Sequence, residues 1–246
     1  MANPIAQRYL YLPSVGFCIL LALTFSNVKN KKVFLLPFII LIVIYSTSTY
    51  ERLKVWKNDT TLWENTVQKN PESILARINY GSSLSRIGEY KKAKKELLTA
   101  LTKQGIKLSD VSTVLFLLGE AERENKNYRN AEEYFINSIK AEPKNVAAYN
   151  ALGYLYLQLS SSSEFSDKKK HEFLERAIES YEYVIKLSPT FYHAIYHLGL
   201  CYIKKNDLEK AEKYFKSVIE LDPERELSAN AFNYLLIIEV MKIKKR

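Results

Sequence analysis

The sequence predicts an all-α protein: a hairpin of two membrane-spanning helices, then an α-solenoid closed by a C-terminal capping helix. Three observations carry that class. Two uncharged apolar runs open the chain. Only 7 Gly and 7 Pro interrupt its 246 residues, which favours long helices over strands and turns. A pattern of small residue, aromatic and proline then recurs with a period of about 34 residues.

The apolar runs are Tyr9–Phe25, with no charge in 17 residues, and Val33–Tyr50, with none in 18. Each approaches the ~20 residues that cross a bilayer as a helix. A basic linker, Ser26–Lys32, and the second run follow the first directly, without a cleavage site between them, so a signal peptide is set aside. Two buried core helices are the alternative. The linker is short enough only for a hairpin, which makes the spans antiparallel. Lys29, Lys31 and Lys32 favour a cytoplasmic hairpin loop, whereas Arg8, Arg52, Lys54 and Lys57 flank the spans on the other side. Residues 1–57 are assigned to this membrane region and 58–246 to the solenoid.

The segment Tyr192–Arg225 shows the repeat most clearly. Leu198-Gly199 and Tyr202 lie in its first helix, Asn206-Asp207 in the turn, Ala211 and Phe215 in the second helix, and Pro223 at the end. These offsets match the tetratricopeptide pattern. Gly199 and Ala211 are small where the helices cross, and Pro223, lacking an N–H, ends the helix. With this segment as ruler, the solenoid divides into a half repeat (58–71), repeats at about 74–107, 112–145, 146–191 and 192–225, and a cap at 227–242. In the half repeat, Asn58 or Asp59 can cap a helix carrying Leu62, Trp63 and Val67, and Trp63 stands where Phe215 does. Asn58-Asp59-Thr60 also matches a glycosylation sequon. Gly119 and Gly153 are 34 residues apart, but Gly153 and Gly199 are 46 apart, so the third repeat holds a 12-residue insertion. The interrupting stretch Ser160–Lys170 has no apolar period and reads as a mobile loop with a charged end. The cap, Leu227–Lys242, is a helix without a second, with more apolar residues than one narrow stripe needs. A membrane-surface or partner-facing role for it is a further reading, given the terminal lysines.

No catalytic motif is present, and neither metal nor cofactor is expected. His193 and His197 have the i,i+4 spacing of a metal pair, but no third ligand or general base accompanies them. Cys18 and Cys201 make no framework. The formal charge of +9 does not point to nucleic acid. Residues 1–57 carry seven Lys or Arg against one acid, and the remaining 189 carry 29 against 26. The excess therefore flanks the apolar runs. The function expected is binding of a protein or peptide on the concave side, which the first helices of stacked hairpins line. Counting each repeat from its first position selects Ile78, Asn79, Ser82, Phe116, Glu120, Asn150, Tyr154, Tyr196, His197 and Leu200. Aromatic faces among Asn and Ser donors suit an extended peptide.

The stretch Ala6-Gln7-Arg8-Tyr9-Leu10-Tyr11-Leu12-Pro13-Ser14-Val15-Gly16-Phe17 is similar to the A-x-R-Y-L-Y-L-P-S-x-G-F segment of the transmembrane and tetratricopeptide repeat-containing proteins. Trp56, Asp59, Leu62-Trp63 and Pro71 resemble the segment that leads into that family's repeats. The resemblance covers most of this chain and the C-terminal part of the family. It implies descent from multi-span O-mannosyltransferase-like proteins using lipid-linked sugar, with repeats outside the cytoplasm (periplasmic, extracellular or lumenal). The family's catalytic acid lies in an early loop with no counterpart here. Two functions are therefore expected as alternatives. One is a membrane-anchored scaffold without catalysis. The other is a part or subunit of a membrane glycosyltransferase whose repeats present acceptor polypeptide.

Overall fold

A computed structural model of the chain describes residues 31–221 and 226–244, together with Val15 and Ile19. Eleven α-helices, and no strand, occur among the described residues. The chain divides into two compact units, Met1–Leu62 and Trp63–Arg246.

In the first unit, α1 (Lys31–Val55) leaves Ile39, Ile40, Ile42, Val43 and Ile44 open to solvent. Thr47 turns its hydroxyl back onto the helix, donating to the carbonyls of Val43 (3.0 Å) and Ile44 (2.9 Å), so its polar group is satisfied within the helix. Among the described residues, no helix is long and apolar enough to cross a membrane. The expected first span, Tyr9–Phe25, lies outside the described residues apart from Val15 and Ile19, both helical and exposed. The expected second span falls on α1, whose side chains are described from Ile39 onward. Helix α2 (Asp59–Lys69) starts at a side-chain cap: Asn58 Oδ1 accepts from the Thr61 amide at 2.9 Å, and the Asn58 amide donates to Thr61 Oγ1 at 3.3 Å. Of the two readings of Asn58, the structure displays the capping one.

The second unit continues with helices taken in pairs. They are α3 (Ile74–Arg86) and α4 (Tyr90–Leu101), α5 (Leu108–Glu124) and α6 (Tyr128–Ala141), α7 (Val146–Leu159) and α8 (Asp167–Leu187), and α9 (Tyr192–Lys204) and α10 (Leu208–Leu221). A single helix, α11 (Glu226–Lys244), follows. Each first helix packs on its own second helix and on the next first helix, and each second helix packs on the first helix that follows it. Successive first helices also touch one another, whereas successive second helices make at most marginal contact, so the first helices form the inner side. The result is an all-α tetratricopeptide solenoid.

Its recurrent residues act through sterics. Gly81, Gly119, Gly153 and Gly199 face Leu97, Phe135, Tyr181 and Phe215, and a Cβ on any of them would stand between 2.5 and 2.9 Å from the facing side chain. No real Cβ sits so close, so the helices cross at this separation only over glycine. Ala93, Ala131, Ala177 and Ala211 are fully buried at the matching place on the second helices. The turns are equally regular. The amides of Glu89, Asn127 and Asp207 bond the carbonyls of Leu84, Glu122 and Tyr202 at 2.8–2.9 Å, the longer bond of a Schellman closure. That closure holds Gly88, Lys126 and Asn206 at φ of +81, +63 and +61°.

The third repeat departs from the sequence reading. The insertion expected to be a loop through Lys170 is a turn only as far as Ser166, and α8 begins at Asp167. Two causes are visible. Asp167 places an acid in the first helical turn, where it complements the helix dipole. Phe165 closes edge-on against the buried Phe173, with ring centres 5.1 Å apart. Lys204 donates to Ser161 Oγ at 2.9 Å and ties the turn to α9.

Candidate peptide-binding groove

The inner side is built from α3, α5, α7, α9 and α11, and its side chains fall on the helical positions that their own second helices leave uncovered. On α5, Phe116, Glu120 and Arg123 follow at i, i+4 and i+7, one face of a helix. Arg123 donates through Nε to Glu120 Oε1 (3.2 Å), and through Nη2 to Glu120 Oε2 (3.0 Å) and Glu124 Oε1 (2.7 Å). This fork holds the guanidinium carbon 5.0 Å from the centre of the Tyr154 ring on α7. Burial opposes the Arg123 charge, but the Glu120 carboxylate outweighs it, so the guanidinium stays firmly protonated.

From Tyr154 the strip runs onto α9. Tyr154 meets His197 edge-on at 5.6 Å, and His197 stacks on Tyr181 at 5.4 Å with the planes 15° apart. Tyr196 sits edge-on to His197 at 5.6 Å and to Phe215 at 5.7 Å. Burial, with His193 adding to it, pulls the His197 imidazole down to about 4, so it is neutral at physiological pH. Burial likewise pushes the Tyr181 phenol well above its ordinary value. Two buried polar atoms, Asn150 Oδ1 and His197 Nδ1, make no hydrogen bond within the protein. Both belong to the first helices, at positions selected from the sequence.

The structure thus joins Glu120, Tyr154 and His197 into one strip across three repeats. It treats the other selected residues differently. Ile78 and Tyr196, read from the sequence as surface positions of the groove, are 6% and 9% exposed and belong to the core. Ile78 packs beside Leu97, Val114 and Leu118, and Tyr196 fills the layer between α9, α10 and α11. Phe116 is half-buried against Phe135, and Leu200 is half-buried on the core. Asn79 and Ser82 are half-buried on α3, with no bond linking them to the strip among the described residues. Two strip residues were not selected from the sequence, Arg123 and Tyr181. Arg123 lies one turn beyond Glu120 on the same face, and that offset would have found it. Tyr181 belongs to a second helix and reaches the strip only because Gly153 lets it through.

The two histidines pack on different rings. His193 packs on Tyr192 with ring centres 4.3 Å apart, while His197 stacks on Tyr181. Among the described residues, no three His, Cys, Asp or Glu side chains form a metal-ligand group.

Comparison with known proteins places this geometry. Tetratricopeptide repeat families match residues 193–225 and, in two overlapping stretches, 78–135 and 116–165. The Protein O-mannosyl-transferase TMTC3 of Homo sapiens is 28% identical over 229 residues, covering 89% of this chain and 24% of that protein. Protein O-mannosyl-transferase Tmtc2 of Drosophila melanogaster is 36% identical over 102 residues, covering 39% of this chain and 11% of that protein. The chain therefore spans about a quarter or less of the length of these relatives. Among solved structures, the human IFIT1 dimer with PPP-AAAA aligns with a TM-score of 0.57 at 20% identity, over 68% of this chain and 36% of that one. The MamA protein aligns with a TM-score of 0.53 at 20% identity, over 72% and 88%. At such identity, these two speak for the solenoid fold alone. The chain carries tetratricopeptide repeats and is similar to the transmembrane and tetratricopeptide repeat-containing O-mannosyl-transferases, to one of them over 89% of its own length.

Proposed function

We propose that this chain is a membrane-anchored scaffold that holds an extended polypeptide along the inner side of its repeats and performs no catalysis itself. The observation that carries this reading is the strip from Arg123 through Tyr154 to His197, on which Tyr154 stands exposed. An extended peptide lays its side chains over the aromatic faces of such a strip. Glu120 and Glu124 outnumber Arg123, so the strip favours a neutral or basic segment over one ending in a free carboxylate. The anchor consists of spans at Tyr9–Phe25 and Val33–Tyr50, with the repeats outside the cytoplasm.

The test is a photo-crosslinking residue placed at Tyr154, with a control at Lys216 on the outer side, in the full chain in its native membrane. Polypeptide adducts are expected from position 154 and not from 216. Equal labelling at both, or at neither, sinks the reading. For the anchor, a Ser163→Cys chain in intact cells should react with a membrane-impermeant maleimide, and protection of that thiol refutes the outward placement.

A second reading rests on the similarity to O-mannosyl-transferases over 89% of the chain. Here the strip presents acceptor polypeptide to a catalytic membrane domain. Adducts at position 154 that carry O-linked mannose favour this reading, and adducts free of sugar favour the first.

A further inference from the structure

Charge is distributed unevenly along the solenoid. Residues 74–107 carry eight Lys or Arg against two acids, whereas 112–145 carry five against six, 146–191 five against six, and 192–225 six against six. The basic excess therefore belongs to the first repeat. Part of it is neutralised within the protein. Arg77 bonds Glu96 at 2.5 Å, Lys94 bonds Glu122 at 2.5 Å, and Lys103 bonds Glu72 at 2.7 Å. Lys92 pairs with Glu89 at 3.3 Å. Lys91 and Lys95 have no ion pair among the described residues.

These two lysines stand exposed one turn apart on α4, and Leu98, 40% exposed, follows one turn later. Ala93, Leu97 and Ala100 are fully buried on the opposite side of the helix, so the stripe is the face that α4 turns away from the core. The turn before α4 adds Ile87, 61% exposed. The other second helices lack this face. At the places of Lys91, Lys95 and Leu98, α6 has Arg129, Glu133 and Ile136, α8 has Glu175, Glu179 and Glu182, and α10 has Glu209, Lys213 and Lys216. Each sets an acid in the line, and Lys216 is further held by Glu212 at 2.7 Å.

Unpaired ammonium groups flanked by aliphatic side chains match a layer with anions at its surface and hydrocarbon beneath. A single nucleic-acid strand would call for aromatic faces on which bases stack, and none lies in the stripe. The repeat concerned is also the first after the apolar run Val33–Tyr50. We propose that the outer face of α4 lies on the anionic headgroups of the bilayer that holds the anchor, an inference that rests on the anchored reading above. Lys91 and Lys95 meet the phosphates, and Ile87 and Leu98 enter the edge of the hydrocarbon. Each lysine strengthens contact with an anionic bilayer roughly fivefold, about 25-fold for the pair. The solenoid that carries the strip from Arg123 to His197 is then positioned by two attachments instead of one.

The test uses the full chain, with Cys18→Ser and Cys201→Ala as background, reconstituted into vesicles of phosphatidylcholine alone or mixed with phosphatidylglycerol. Both kinds contain a lipid with a nitroxide headgroup. A fluorophore on Leu98→Cys should be quenched roughly threefold more strongly in the anionic vesicles. Salt at about 1 M, where the Debye length is about 3 Å, should abolish that difference, and so should Lys91→Glu combined with Lys95→Glu. A fluorophore on Lys216→Cys, on the outer side of α10, should be unquenched in both. The anchor is read separately: a fluorophore on Ile42→Cys should show the blue-shifted emission of hydrocarbon in both kinds of vesicle. Emission as in water at position 42 refutes the anchor and this contact with it. Hydrocarbon emission at 42 with equal quenching at 98 in the two kinds of vesicle refutes the contact alone, as does an anionic effect that survives the two charge reversals. Shielding of position 98 by added poly-glutamate, and not by phosphatidylglycerol, overturns the proposal in favour of an acidic protein partner.

Discussion

The neutral state of His197 has a thermodynamic consequence that can be measured. Its imidazole is held at about 4 by burial, with His193 adding to the effect, against an ordinary value of 6.5. Its neighbours are Tyr154, Tyr181, Tyr196 and His193, and none offers the negative charge that would stabilise an imidazolium. Between pH 6.5 and about 4 the unfolded chain therefore binds a proton that the folded chain refuses, and stability falls as pH falls through that window. At about 1.4 kcal/mol per pH decade, the full loss is roughly 3 kcal/mol. His197→Phe keeps a flat ring on Tyr181 and removes the titration. Urea melts of the intact chain in mild detergent at pH 7 and pH 4.5 measure the difference. At pH 7 the two proteins should agree within about 1.5 kcal/mol, as a near-isosteric core swap does. At pH 4.5 the variant should gain roughly 2 kcal/mol relative to the wild type. Identical losses in both proteins between the two pH values would refute the assignment of a buried neutral imidazole.

Three further perturbations probe the repeat itself. Gly119→Ala puts a Cβ 2.5 Å from the Phe135 ring, which is fully buried, so overpacking should cost about 1–3 kcal/mol despite alanine's helix propensity. Phe135→Leu in the same chain should recover part of that loss, and strictly additive melting shifts would refute the crossing argument. Lys126 is held at φ +63°, where an L residue costs roughly 1–2 kcal/mol, so Lys126→Gly should raise the urea midpoint despite the entropy glycine adds to the unfolded chain. Burial of Glu122 alone would raise its carboxyl, but bonds from Lys94 (2.5 Å) and Asn127 (2.8 Å) hold it below the ordinary range. Its contribution is therefore present above the ordinary carboxylate range near 4.5 and lost as pH falls below it. Glu122→Gln should flatten that acid limb, and an unchanged limb would show the bond from Lys94 to be idle.

How far the sequence discloses such a molecule depends on which interactions are local. The Gly-to-Gly spacing locates every helical crossing because the steric demand is absolute: one Cβ too many, and the pair separates. The same spacing exposes the 12-residue insertion but does not say where its helix resumes. That is decided by Phe165 closing on Phe173, an aromatic contact that no period announces. On the inner side, counting positions finds Glu120, Tyr154 and His197, which share a strip, but it also admits Ile78 and Tyr196. A helical position fixes the direction in which a Cβ points, whereas burial depends on the size of the neighbour across the gap. Tyr196 is covered because Phe215 and Tyr234 both reach it, at 5.7 and 6.3 Å. Arg123 lies one turn beyond Glu120, and what makes it part of the strip is the pair of carboxylates that hold it over Tyr154.

The same reasoning explains why the two ends of the strip behave differently. At Gly153 the repeat admits Tyr181 through the crossing, and the phenol reaches far enough to back His197 from behind. Repeats with phenylalanine or leucine at that place, at Phe135, Phe215 and Leu97, bring no hydroxyl to the crossing. The buried and unbonded Tyr181 hydroxyl therefore marks the third repeat as the one whose core chemistry is tied to its inner surface. Tyr181→Phe keeps the ring that His197 stacks on and removes only a desolvated hydroxyl. Leaving such a group unpaired costs about 1–3 kcal/mol, so its removal should stabilise the fold or leave it unchanged. If Tyr181→Phe instead weakens peptide crosslinking at position 154 without lowering stability, the hydroxyl acts on the bound ligand, and the inner face extends one layer deeper than the strip described here.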